Sequence, residues 1–210
     1  KIVKKKKIFC FGDSNTWGCS ASDGSRFDEY TRWPKVLESA LGENFIIIEE
    51  GLNGRTLLDL NPYNRDGGGV SSIDHAAAPH IPVDIVIISL GMNDVFDSSD
   101  PTLPAIADGM RTIIHKIRHL HQTLNPPEII IMGPPEINRN FDGARFFELQ
   151  INKMTTLGPL FSDIAKSESV HFFDASQVIK TSGIDCSHID GENHRILGRE
   201  IARFITEMLR

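Results

Sequence analysis

Apolar positions along this chain follow two different spacings. Residues 8–11, 45–49, 85–90, 129–132 and 170–173 are short, nearly continuous apolar runs. They are mostly β-branched or aromatic and are bordered by turn residues, so they predict five strands. Strands that are apolar on both sides suit a parallel sheet covered on both faces. Between them apolar residues recur three and four apart, which predicts helices. Trp33–Leu41 is one, and residues 104–124 are a second, with Ile106, Met110, Ile113, Ile117, Leu120 and Leu124 on one stripe. A third lies within 144–166, and the last covers about 192–209, with Leu197, Ile201, Phe204, Ile205 and Met208 on one side. The longest irregular stretch, 61–84, holds Gly67-Gly68-Gly69 and three prolines, and predicts a loop with a short helix near 72–78.

Strands alternating with helices predict an α/β doubly wound parallel sheet. A length of 210 residues suits one domain over 1–210. The net charge of -6 argues against a nucleic-acid binder, and Lys4 to Lys7 read as a solvated terminus. No apolar run approaches the roughly 20 residues of a membrane span. Three cysteines without paired spacing read as free thiols, which points to the cytoplasm, although the chain begins with Lys and a trimmed leader stays open.

Open parallel sheets bind ligands beyond the carboxyl ends of their strands. At those positions stand Gly12-Asp13-Ser14-Asn15, Gly51-Leu52-Asn53-Gly54-Arg55-Thr56, Gly91-Met92-Asn93-Asp94 and Gly133-Pro134-Pro135, with Asp185-Cys186-Ser187-His188 ahead of the last helix. Ser14 reads either as a helix cap or as a nucleophile. A nucleophilic serine needs a base, and a histidine base needs an acid to orient it. Among the eight histidines, His115 and His119 lie opposite the apolar stripe of their helix and read as solvated. His171 falls within a strand and reads as core, while His75 and His80 sit in the long loop without an evident partner. His188 has Asp185 three residues earlier, a spacing that lets the carboxylate hold one ring nitrogen while the other faces a serine. A metal reading of His188, Asp190 and His194 lacks a further ligand set. Acyl transfer also needs donors for a developing oxyanion, and Gly54 and the Asn93 amide stand just past two strands. The dinucleotide, P-loop and G-x-S-x-G patterns are absent.

In this order the motifs resemble the SGNH hydrolases, the GDSL esterase/lipase family, over nearly the whole chain. Gly12-Asp13-Ser14-Asn15-Thr16, the stretch around Gly54, Gly91-Met92-Asn93-Asp94 and Asp185-Cys186-Ser187-His188 match four of its blocks. The resemblance implies a flavodoxin-like three-layer αβα sandwich on a five-stranded parallel sheet. It implies Ser14 as nucleophile, His188 as base and then acid, and Asp185 as its orienting acid. The oxyanion hole would be the Ser14 and Gly54 N–H groups with the Asn93 side chain; no metal and no cofactor is implied. "GDSNTWG", "TRW", "EEGLNGRT" and "FFDASQVI" resemble the bacterial arylesterase/acyltransferase branch, which acts on short-chain and aryl esters, transfers acyl groups in some members, and includes dimers and octamers. A small-molecule ester substrate and a homo-oligomer are therefore expected. Trp17 reads as a wall of the substrate pocket or as packing on the first helix. Cys186 stands where glycine is common, and 138–145 is short and polar. A carbohydrate O-deacetylase, a thioesterase and a non-catalytic binding protein on the same fold are the competing expectations.

Overall fold

The computed structural model describes residues 4–61 and 63–210. Five strands, β1 (Lys6–Gly12), β2 (Phe45–Gly51), β3 (Ile85–Ser89), β4 (Glu128–Met132) and β5 (His171–Phe173), form one sheet in the order β2-β1-β3-β4-β5. Every neighbouring pair is parallel. The helices are α1 (Ser14–Trp17), α2 (Trp33–Leu41), α3 (Gly69–Ala77), α4 (Met92–Phe96), α5 (Leu103–Leu120), α6 (Glu148–Glu168) and α7 (Gly191–Met208).

Successive residues of a strand point to opposite faces, and here both faces are covered. Ile8 and Cys10 of β1, with Ile85 and Ile87 of β3, pack against Trp33 and Leu37 of α2 and Leu197 and Ile201 of α7. Phe9 and Phe11, with Val86 and Ile88, pack against Ile113 of α5 and Leu157 and Phe161 of α6. The sheet is therefore the middle of three layers, as the unbroken apolar runs required. The order reverses at β1: the chain passes from β1 to β2 on one side, then crosses back to β3 on the other. A crevice at the carboxyl ends of β1 and β3 follows from that reversal.

Several boundaries differ from the sequence expectation. Lys6 and Lys7 belong to β1, opposite Phe45 and Ile46, so the basic run is partly strand. Backbone pairing needs no apolar side chain, and a hydrophobic pattern does not register it. Leu90 leaves the ladder after Ser89. The second long helix stops at Leu120, and Leu124 is 43% exposed instead of extending the stripe. His121 ends it: buried, it pairs Nδ1 with the Ile117 carbonyl (2.9 Å) and accepts the Val83 N–H on Nε2 (3.3 Å). The helix expected at 72–78 is α3, which begins earlier, at Gly69. His171 is not core: half-exposed, its Nε2 lies 2.9 Å from Glu128. His75 does have a partner, Asp66, at 2.9 Å. No helix among the described residues is long and apolar enough to cross a membrane.

Candidate active site

The turn after β1 decides what Ser14 does. Asp13 is the N-cap of α1; its Oδ1 accepts the Asn15 N–H at 2.9 Å. Ser14 is the first helical residue, so its hydroxyl is free of capping. Its Oγ lies 3.0 Å from His188 Nε2. Gly18, left-handed at φ 93°, closes the helix after one turn. Among the described residues the Ser14 N–H has no acceptor, as expected at the first position of a helix.

His188 comes from the loop between β5 and α7. One carboxylate shapes that loop and holds the ring. Asp185 Oδ1 accepts the N–H groups of Ser187 (3.0 Å) and His188 (2.8 Å), while Oδ2 is 2.8 Å from His188 Nδ1. An ionised carboxylate only accepts, so Nδ1 carries the proton and Nε2 presents a lone pair to Ser14. The loop is fastened to the turn after β1 by Asn15, which donates from Nδ2 to the Ser187 carbonyl (2.8 Å) and accepts the Ile189 N–H on Oδ1 (3.1 Å).

Charge around the pair favours the imidazolium. The hydrogen bond to Asp185 raises the His188 pKa; burial opposes it, and the charges of Asp185 and Asp13 add to it. For Asp185, burial alone would raise the pKa, but the bonds from His188 and Ser187 outweigh it and hold the group below the usual carboxylate value. Burial pushes Asp13 up to about 6, against the Asn15 N–H and the nearby His188.

The donors arrive from the next two strands. Gly51 ends β2 against the turn that carries Ser14, where a Cβ would overlap the backbone of Thr16 and Trp17. Only a glycine permits that approach. Gly54 has φ +75°, is exposed, and its N–H has no acceptor among the described residues. Asn93, on α4, donates one amide hydrogen to the Arg55 carbonyl at 2.9 Å. Its other hydrogen remains for a ligand. Asp94, fully buried, accepts the N–H groups of Leu57 (2.6 Å) and Leu58 (2.9 Å) and ties α4 to the loop after β2. Burial raises the Asp94 pKa, and those two N–H groups oppose the rise.

Ser14, His188 and Asp185 are thus joined by direct contacts, and Gly54 and Asn93 meet through Arg55. Trp17 belongs to neither apolar cluster; its half-buried ring lies under the Arg26 guanidinium, 5.3 Å away. The His188, Asp190 and His194 set diverges: Asp190 caps α7 through the Asn193 N–H, and buried His194 accepts the Trp33 N–H on Nδ1. No metal-holding group of His, Cys, Asp and Glu occurs among the described residues. Asn15, Arg55 and Asp94 carry the supporting contacts. All three stand in the motifs at the strand ends, but each acts on backbone brought near only by the fold, so spacing gives no signal of these contacts. A cleft of about 470 Å3 lies between residues 134–140 and α6, lined by none of the five expected site residues.

A serine hydroxyl aimed at a carboxylate-held imidazole, beside N–H groups without an acceptor among the described residues, is an arrangement that can attack an acyl carbon when the imidazole is neutral. Comparison with known proteins shows the family. The GDSL-like Lipase/Acylhydrolase family model matches residues 10–194. The Mycobacterium smegmatis aryl esterase is similar in structure, with 35% identity, a TM-score of 0.86, and coverage of 96% of this chain and 99% of that one. Est24, a carbohydrate acetylesterase from Sinorhizobium meliloti, is 31% identical with a TM-score of 0.87, covering 97% and 100%. A G-D-S-L family protein from Veillonella parvula, 17% identical at a TM-score of 0.63 over 96% and 98%, shares the fold. No curated protein matches at a comparable level. From its motifs, its parallel sheet and these likenesses, the chain belongs to the GDSL-like lipase/acylhydrolase family, whose members are carboxylic ester hydrolases of the SGNH type.

Proposed function

We propose that this protein is a serine esterase that hydrolyses short-chain or aryl carboxylic esters through an acyl-enzyme on Ser14. The observation that carries this reading is the contact chain Ser14 Oγ to His188 Nε2 (3.0 Å) and His188 Nδ1 to Asp185 Oδ2 (2.8 Å). Ser14 Oγ attacks the ester carbonyl carbon while its proton passes to His188 Nε2. Asp185 holds the resulting imidazolium. Negative charge on the carbonyl oxygen is met by the Ser14 and Gly54 N–H groups and the remaining Asn93 amide hydrogen. His188 returns its proton to the leaving alcohol as the C–O bond breaks. Water then repeats the sequence on the acyl-enzyme and releases the acid, or a second alcohol takes the acyl group. Each step uses groups already oriented, which is where such sites gain most of their rate.

The likeness to the Sinorhizobium acetylesterase favours a second reading, O-deacetylation of an acetylated carbohydrate on the same three residues. Trp17, three residues past Ser14 and partly exposed, remains a candidate wall for either substrate. The three cysteines are free and buried, which favours a reducing compartment such as the cytoplasm.

A panel of p-nitrophenyl esters of increasing acyl length, run beside acetylated sugars, tests these readings. Short p-nitrophenyl esters are expected to turn over, and Ser14→Ala to lose about 10⁶-fold in kcat. Turnover confined to acetylated sugars selects the second reading. Ser14→Ala with near-normal activity would refute both, and no turnover by the wild-type protein on any ester favours a binding role.

A further inference from the structure

Arg55 is a charged side chain with only 3% of its surface exposed. Taking a guanidinium out of water is costly unless its donors are met. Here four of its five N–H groups have acceptors. Nη1 donates to the carbonyls of Gly12 (3.1 Å) and Glu50 (2.8 Å), Nη2 to the Glu50 carboxylate (3.1 Å), and Nε to the Asp66 carbonyl (3.3 Å). Its Cζ lies over the Phe11 ring, 4.4 Å from the centroid. Gly12 is the last residue of β1, two before Ser14. The backbone of Arg55 is equally committed: its N–H closes the Gly54 turn on the Leu52 carbonyl (3.0 Å), and its carbonyl accepts Asn93 Nδ2 (2.9 Å). One residue therefore touches the nucleophile turn, follows Gly54 in the chain, and orients the Asn93 amide.

We infer that Arg55 is the positioning residue of the oxyanion hole, fixing the Gly54 N–H and the Asn93 amide relative to Ser14. The inference rests on the reading of Asn93 as an oxyanion donor. Lysine cannot take its place, because one ammonium on a flexible stem neither spans these four acceptors nor presents a planar group over Phe11. A displaced donor weakens contacts made to the transition state and leaves substrate binding largely alone.

The test is a double-mutant cycle on p-nitrophenyl acetate with Arg55→Lys, Asn93→Ala and both together. Arg55→Lys is expected to lower kcat by about 10- to 100-fold while KM changes by less than about threefold. In the Asn93→Ala background the further loss should shrink by at least about threefold, because one of the two donors that Arg55 positions is gone. Glu50→Ala, which removes one exposed-side anchor, gives the same comparison should Arg55→Lys fail to fold. Its smaller loss, about two- to fivefold, is likewise expected to shrink once Asn93 is replaced. Equal losses in both backgrounds, or none, would overturn the inference. Asn93→Ala alone reports on the underlying reading: unchanged kcat there defeats the oxyanion assignment itself, whereas a normal Asn93→Ala loss with additive Arg55 effects defeats only the role of Arg55.

Discussion

At the scale of single residues, the chemistry turns on which side chain caps α1. Asp13 takes the cap and Ser14 is left facing His188. The general base proposed here, His188, must be neutral to accept a proton, so its raised pKa has a definite sign for activity. The acid limb of kcat/KM should have its midpoint above the usual histidine value of about 6.5, with activity rising as pH rises through it. In Asp185→Asn the main cause of the raised value is removed. The limb should then move to lower pH while kcat falls by about 10⁴-fold, because the wrong tautomer is stabilised. A limb at or below the ordinary value in the wild type, or one unmoved by Asp185→Asn, would contradict the geometry. D-x-x-H and the serine were legible in the sequence as spacing and residue type. The Asp13 cap was not, since Asp, Ser and Asn are all good caps and the local sequence does not rank them.

At the scale of elements, the site is assembled from segments that make few contacts of their own. α1 is a single turn and α4 is five residues long, too short to stand without neighbours. Their neighbours hold them: Gly51 lets β2 end against α1, and Asp94 anchors α4 to the backbone of Leu57 and Leu58. Asn15 does the same for the histidine loop. Replacing Asn15 with Ala leaves the Ser187 carbonyl and the buried Ile189 N–H unpartnered. The expected cost is about 1–3 kcal/mol, measured by urea unfolding. The loosened loop should also lower kcat with little change in KM. Full activity at unchanged stability would mean that Asp185 alone holds the loop. Long elements were readable from their periodicity. These short ones were not, because one turn of helix leaves no periodic trace.

At the scale of the whole molecule, α2 and α7 pack together over one face of the sheet, and His194 is sealed between them. Burial pushes its pKa down to about 3, against the charge of Asp190. The unfolded chain binds a proton there near pH 6.5 and the folded one does not, so this group adds stability that is lost as pH falls from about 6.5 towards 3. Asp13 works in the opposite sense, since its folded value of about 6 lies above the unfolded one. Its contribution is largest at low pH and is lost as pH rises towards about 6. The two are separable by substitution. His194→Asn keeps an acceptor for the Trp33 N–H but does not titrate. The stability gap between wild type and this variant, followed by denaturant unfolding, should narrow from about pH 7 to pH 4. A gap that stays constant would show that His194 does not carry the linkage.

The layered fold was legible in the order of residues, and so were the candidates for the site. Unbroken apolar runs such as 8–11 have no polar side to expose, so helices must cover both faces, and β1 and β3 are flanked accordingly. The same order of blocks placed Ser14, Gly54, Asn93 and His188 at one edge of the sheet, because parallel strands end together. How these residues are held became fixed on folding alone. Arg55, Asn15 and Asp94 bond to backbone far along the chain, from Gly12 to Ile189. A sequence records side-chain types and spacings, but a backbone carbonyl or N–H is the same at every position. Which of them a buried polar side chain will meet is fixed only when the strands are set in register and the loops are closed over them.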